Sequence, residues 1–337
     1  MTDFEYVPEA EVARPRFGAS KVWVESPLQL LSAVETHAAG LLGTETMIVP
    51  RKNMPLAATT RALLAAAPAG LSINDPARRP PTPIRTDDRW VTGDAYSGRV
   101  QRTLLGPVQA KEVVIIDDGM ATLALIRQLI STEPTPIVRG RTNNSASRKA
   151  LGLALWYRLR FMARDQRLLI VSALDVGQET RERMHEVGIK FARHRFEWLA
   201  AQPVEEKFPE PTLVIGSAMS ADGLIHTEPY LGWLAELAAD GPFAYFPHRR
   251  ENPETLKLIA TLPGVHMKEH TIPIEMRLRA LKPGQQIRSL PSTVIPSLRL
   301  LLGTERNRIF PKPVPGSWWT GTTPPEVREH LSSSLKV

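Results

Sequence analysis

Short β-branched runs, each followed by turn residues and then by a helical spacing of apolar side chains, recur along most of this chain. Residues 21–25 (KVWVE) are one such run, and Pro27, suited to a first helical turn, opens the helical stretch 27–38. The order returns as strand 46–50 with helix 56–67, strand 89–92 with helix 98–105, and strand 112–116 with helix 120–129. Residues 75–85 (DPARRPPTPIR) admit only a loop, and 168–173 (LLIVSA) resumes the rhythm after what reads as an insertion. Continuous apolar strands that alternate with helices are buried on both faces, which a parallel sheet covered by helices provides. The expected class is α/β.

At 337 residues the chain is long enough for two domains. Proline and glutamate crowd residues 201–211 (AQPVEEKFPEP), and the rhythm then restarts with strands at 212–215, 243–247 and 265–268 and helices at 228–239 and 253–262. The expectation is two Rossmann-like domains facing across a cleft. The first covers 1–202, a linker 203–211 and the second 212–310, with a Pro-rich tail 311–337, containing Trp318-Trp319, packed on the body. Ligands of such sheets sit beyond the carboxyl ends of the strands, so the chemistry is sought there.

Composition removes several classes. The acidic N-terminus has no apolar core and does not read as a secretory signal, and no stretch approaches the roughly 18 apolar residues of a spanning helix. With no cysteine there is no disulfide framework, thiolate metal site or cysteine nucleophile, and the cytoplasm is the simplest compartment. The net charge of +7, from 42 basic against 35 acidic residues, favours anionic partners.

Asp117-Asp118-Gly119 falls at a strand end. It reads either as an Asx-type turn capping the next helix or as a carboxylate presented for general-base work. Two adjacent acids raise the pKa of one of them, which suits a base; two acids alone make a weak metal site. His248 ends another strand beside Arg249 and Arg250, a poor setting for a core histidine and a good one for phosphate oxygens. Gly216-Ser217 closes strand 212–215, a place where backbone N–H groups can face a phosphate, and Ser292-Thr293, before the apolar run 294–302, is a helix cap or a phosphate cradle. Glu275 is a surface carboxylate or a ribose ligand. Residues 139–167 hold eight basic side chains against one acid, Asp165, with Trp156, Tyr157, Phe161 and Met162 interleaved. This is the solvated face of a core helix, or a basic amphipathic helix lying on an anionic membrane or acidic polymer. No zinc-finger, RRM-type or helix-turn-helix pattern accompanies it, so nucleic acid is not an expected partner.

In this order the pieces resemble bacterial sialyltransferases and polysialyltransferases of glycosyltransferase families 52 and 38. Ser26-Pro27-Leu28-Gln29 is similar to their "(T/S)PLQ" segment and Gly93-Asp94-Ala95-Tyr96-Ser97-Gly98 to "GD-x-(F/Y)-S-G". Asp117-Asp118-Gly119 is similar to "(D/E)(D/E)G", Pro247-His248-Arg249-Arg250 to "PHPR" with Arg249 in place of proline, and Ser292-Thr293 to "S(S/T)". The likeness spans roughly 21–302. It implies a GT-B fold and an inverting, metal-independent transfer, without a cofactor, from CMP-sialic acid or a related CMP-sugar to a glycan or glycolipid hydroxyl. It further implies Asp118, or Asp117, as base and His248 at the leaving phosphate. Gly216, Ser217, Arg250, Ser292 and Thr293 would hold CMP and Glu275 its ribose, with Gln29, Asp94 and Ser97 on the acceptor side. The enzyme is then expected in the cytoplasm, in peripheral contact with an anionic membrane. Rival readings are a GT-B transferase with another donor, such as CMP-Kdo, and a non-catalytic binder of acidic polymer.

Overall fold

Buried β-branched runs become adjacent parallel strands in the computed structural model, which describes residues 18–52, 56–83, 88–139, 145–204, 207–269, 271–292 and 294–325, with 327, 328 and 331. The chain divides into two units, Met1–Ala201 and Gln202–Val337. The first contains, in order, β1 (Ala19–Val24), α1 (Pro27–Ala38), β2 (Glu45–Pro50), α2 (Ala57–Leu64), β3 (Leu71–Ile73), β4 (Arg89–Thr92), α3 (Gly98–Leu105) and β5 (Glu112–Ile115). It continues with α4 (Met120–Ile130), α5 (Ala146–Arg164), β6 (Leu168–Ser172), α6 (Gln178–Glu186), β7 (Lys190–Arg193) and α7 (Glu197–Ala201).

Its seven strands are all parallel, in the order β3-β2-β1-β4-β5-β6-β7. The direction of winding reverses between β1 and β4, and a doubly wound sheet opens a crevice at that switch point. Alternate residues leave opposite faces of a strand. Val113 and Ile115 pack with Trp23, Trp90, Leu104, Leu155 and Leu159 on one side, and Val114 is buried on the other.

Segment 139–167 is therefore no insertion. It carries α5, which together with α4 makes the crossover from β5 to β6. Its Leu155, Trp156, Leu159, Met162 and Ala163 enter the core. Two of its arginines serve the fold: Arg148 donates to Gln101 Oε1 at 2.8 Å, and Arg160 lies over the Trp156 ring and donates to the Leu129 carbonyl. Gly152 of α5 is required by contact, since a Cβ there would meet the Ile137 carbonyl oxygen at 2.7 Å.

The second unit contains β8 (Thr212–Ile215), α8 (Thr227–Asp240), β9 (Phe243–Phe246), α9 (Pro253–Ala260), β10 (Val265–Met267), α10 (Ile274–Arg277), β11 (Gln286–Ser289), α11 (Val294–Leu302) and β12 (Ile309–Pro311). Its five parallel strands run β10-β9-β8-β11-β12, with the winding reversed between β8 and β11. Leu213, Ile215, Ala244 and Phe246 face one core with Ile287, Ile295 and Leu298. Val214, Phe243 and Tyr245 face another, with Tyr230, Trp233 and Ile259. Trp318 is buried in that second core, and Trp319 bridges Ile225. Among the described residues no helix is long and apolar enough to cross a membrane.

Candidate functional site

In the first unit, β1 is followed by Glu25, a buried carboxylate that gathers three donors: Trp23 Nε1 at 2.8 Å, Ser97 Oγ at 2.7 Å and Arg51 Nη1 at 2.7 Å. Ser26 caps α1 by accepting from Gln29 N at 3.2 Å, and Pro27 occupies the first turn. The Ser26 hydroxyl also donates to Asp118 Oδ1 at 3.2 Å, joining the β1 and β5 ends. Gln29 Oε1 accepts the Glu25 N–H at 2.7 Å. Gly93, at the end of β4, must be glycine because a Cβ would meet Gln29 Cγ at 2.3 Å.

The two aspartates after β5 part company. Asp117 is buried, accepts from Gly119 N at 2.9 Å and from Ala173 N at 3.1 Å, and so ties the β5 end to the β6 end. Burial pushes its pKa up, against these hydrogen bonds. Asp118 stays half-exposed, its own N–H donating to Thr122 Oγ1 at 2.8 Å. Gly119 opens α4 at φ 66°, a left-handed conformation that favours glycine.

Asp94 accepts from Tyr96 N at 2.9 Å and from Arg139 Nη2 at 2.6 Å. Burial raises its pKa, Arg139 pulls it back and Glu25 pushes it up again. Burial opposes the charge of Arg139, but Asp94, then Asp118 and Glu25, outweigh it and hold the guanidinium protonated. One cation thus acts on three acids along this edge. Gln29, Asp94 and Ser97 are all buried. They build the edge at the β1–β4 switch point, and Asp118 is the aspartate left partly open to solvent.

In the second unit, the Gly216 N–H donates to the Phe246 carbonyl at 2.8 Å, and Ser217 Oγ accepts from Met219 N at 3.2 Å. A Cβ on Gly216 would meet Glu251 Oε2 at 2.4 Å, the Tyr245 hydroxyl at 2.7 Å and His248 N at 3.0 Å, so the β8 and β9 ends approach closely. Glu251 is the hub. It is buried and accepts from His248 N at 2.7 Å and from the hydroxyls of Tyr245 and Tyr230, with a further bond from the Ser217 backbone. Burial raises its pKa, against those donors.

His248 is half-buried, and its Nδ1 accepts from Arg250 N at 3.2 Å. With Nδ1 accepting, the proton of the neutral ring sits on Nε2. Arg250 is exposed and pairs with Asp222 at 2.8 Å. Beyond β11, Ser292 Oγ accepts from Val294 N at 3.4 Å at the start of α11. Thr293 lies outside the described residues. Glu275 is buried in the one-turn α10 and is engaged within the protein. Gly216, Ser217, His248 and Ser292 therefore share the carboxyl edge of β8, β9 and β11, which includes the β8–β11 switch point.

Glu25, Arg51, Arg139 and Glu251 escape sequence reasoning as site residues. Two of them carried a usable hint: Glu25 ends a buried run, and Glu251 closes the polar stretch after His248. Among the described residues no group of three or more His, Asp or Glu side chains suits a metal ion.

No family model matches the sequence, and neither does any curated protein. Among solved structures the chain is similar to a 2,6-sialyltransferase from Photobacterium sp. JT-ISH-224, in complex with CMP and lactose. The identity is 12% and the TM-score 0.51, over 94% of this chain and 76% of that one. It is also similar, at 11% identity and a TM-score of 0.45, to a UDP-glucosyltransferase from Polygonum tinctorium, over 95% and 94% of the two chains. A third similarity, at 10% identity and a TM-score of 0.42, is to a UDP-N-acetylglucosamine 2-epimerase from Rickettsia bellii, over 83% and 76%. Two parallel-sheet, Rossmann-like units in this arrangement of strands are the fold of the GT-B glycosyltransferases.

Proposed function

We propose that the chain is an inverting glycosyltransferase that moves a sialic acid, or a related nonulosonic acid, from a CMP-activated donor to a hydroxyl of a cell-surface glycan or glycolipid. One observation carries the reading. Asp118 and His248 each stand half-exposed at the carboxyl edge of their own parallel sheet, steadied by buried neighbours. Its support is the GT-B fold together with the motif set at those two edges. CMP and lactose, bound by the Photobacterium enzyme, represent the ligand classes proposed here.

In this reading the acceptor oxygen forms a bond to the anomeric carbon of the donor while the bond from that carbon to the phosphate oxygen breaks. The acceptor proton passes to Asp118, and the departing electron pair stays on CMP. His248, through Nε2–H, donates to the phosphate as its charge grows, with Arg250, Ser217, Ser292 and Thr293 as further donors and the Gly216 backbone close by. A single phosphate leaves, so a cradle of donors suffices and no metal is invoked. Asp117 acts as a support of the β5 end. Glu275 toward the ribose, and Gln29, Asp94 and Ser97 toward the acceptor, complete the assignment. The absence of cysteine accords with work in the cytoplasm.

The test is CMP release from CMP-sialic acid with a panel of glycan acceptors, beside calorimetry with CMP, UDP and GDP. Asp118→Asn should lose about 100-fold or more in turnover while CMP affinity holds, and His248→Ala should lose both. Near-normal transfer by both variants refutes the roles. Preference for UDP or GDP over CMP refutes the donor and leaves glycosyl transfer standing.

A further inference from the structure

We propose that the outer face of α5, with the cavity at its C-terminal end, is a docking surface for the anionic phospholipids of a membrane. The inner face of α5 is spent on the core. Its outer stripe holds Ala150, Ala154, Tyr157, Phe161 and Arg164, spaced by three and four residues and all exposed. Tyr157 is 55% and Phe161 53% exposed, one helical turn apart, and they are the most exposed large aromatic side chains among the described residues. The 19 residues of α5 include no acid; Lys149 and Arg158 flank the stripe and Arg164 ends it. Rings one turn apart with cations on either side match an interface whose outer layer is phosphate and whose next layer is hydrocarbon.

A second feature lies at the end of the same helix. An open cavity of about 360 Å³ is lined by Arg160, Arg164, Gln166, His185, Glu186 and Gly188. Its two guanidiniums suit a phosphate headgroup, and Glu186 favours a headgroup that also carries hydroxyl or amine donors. A convex helix offers no groove for tracking a nucleic-acid backbone, which sets this surface apart from a single-strand binding site. At the other end of α5, Arg148 donates to the Tyr96 carbonyl beside Ser97. Docking along α5 would hold one end of the helix, and with it the carboxyl edge of the first sheet, at the bilayer. The surface is separate from the two strand-edge sites and stands whatever reaction they perform.

Sedimentation of the full chain with phosphatidylcholine vesicles, with and without phosphatidylglycerol, tests this. Binding should require phosphatidylglycerol and weaken as salt rises. Tyr157→Ser with Phe161→Ser, two solvent-facing changes, should lower the partition coefficient about tenfold or more. Lys149→Gln with Arg164→Gln should lower it about 25-fold, fivefold per cation. Unchanged melting temperatures of both variants show that the fold is kept. Equal binding to neutral vesicles, or a serine variant that binds as the parent does, overturns the proposal. So does tight binding of soluble heparin with no vesicle association, which would assign the face to a polymer.

Discussion

Glu35 supplies a prediction whose size follows from burial. It sits in α1, only 1% exposed, and accepts from Leu199 N at 2.7 Å and Trp198 N at 3.2 Å, two N–H groups at the start of α7 that the helix cannot satisfy internally. Burial pushes its pKa from 4.5 up to about 7; the two N–H bonds pull it down, and the Glu197 charge pushes it up again. The folded chain thus holds the Glu35 proton more tightly than the unfolded chain does. The stability this contributes is fully present below the unfolded value near 4.5 and is lost as pH rises through about 7. A shift of this size, at about 1.4 kcal/mol per pH unit, amounts to about 3 kcal/mol.

Glu35→Gln stays neutral throughout. Its one carbonyl oxygen can serve Leu199 N, leaving Trp198 N without an acceptor at a cost of about 1–3 kcal/mol that does not vary with pH. The stability difference between variant and parent should therefore move by about 3 kcal/mol in favour of glutamine between about pH 4 and pH 8. Amide exchange in β1, β4 and β5 reads this in the first unit alone. Other buried acids titrate in both proteins and cancel in the difference. Parallel pH profiles for the two proteins would refute the assignment of a raised pKa to Glu35.

Two further substitutions test the strand edges. Gly216→Ala forces a methyl against Glu251, Tyr245 and His248 and should destabilise the second unit by about 1–3 kcal/mol, with CMP affinity in calorimetry falling at least about tenfold; unchanged melting and affinity would contradict the close packing. Ser26→Ala removes the α1 cap and the hydroxyl on Asp118, so thermal unfolding should report about 1 kcal/mol lost and CMP release should slow; an unaltered transition would contradict the capping role.

The parts of this fold that are readable from sequence are those whose cause is local. Strand 212–215 is β8, and 112–116 contains β5, because a run of buried β-branched residues has few other uses. The β11 strand escaped. It lies between β8 and β12, yet its residues Gln286 and Arg288 are polar. Arg288 is tolerated there because its guanidinium lies 4.7 Å from the centre of the Phe310 ring, on the neighbouring strand. A pattern search sees charge where the fold has a covered cation. In α5 the break in the strand–helix rhythm reads as an insertion, yet its every-third-or-fourth apolar residues build the core, in keeping with the alternative of a core helix with a solvated basic face.

The candidate site divides along similar lines. Asp118 and His248 are visible because a polar side chain directly after a buried strand must emerge at the sheet edge, whatever the rest of the chain does. Asp117 against Asp118 is undecidable at that level, since both follow β5. Which of the two turns inward is set by Ala173 N, 56 residues downstream, which captures Asp117, while Ser26, 92 residues upstream, meets Asp118. Glu25 and Glu251 work in the same way, each a buried acid whose donors come partly from another strand end, while Asp94 takes a donor from Arg139, between α4 and α5. Burying a carboxylate is unfavourable unless several donors surround it, and several donors from separate loops hold those loops in register. The inward acids at these edges thus serve as joints, and they steady the partly exposed Asp118 and His248 beside them.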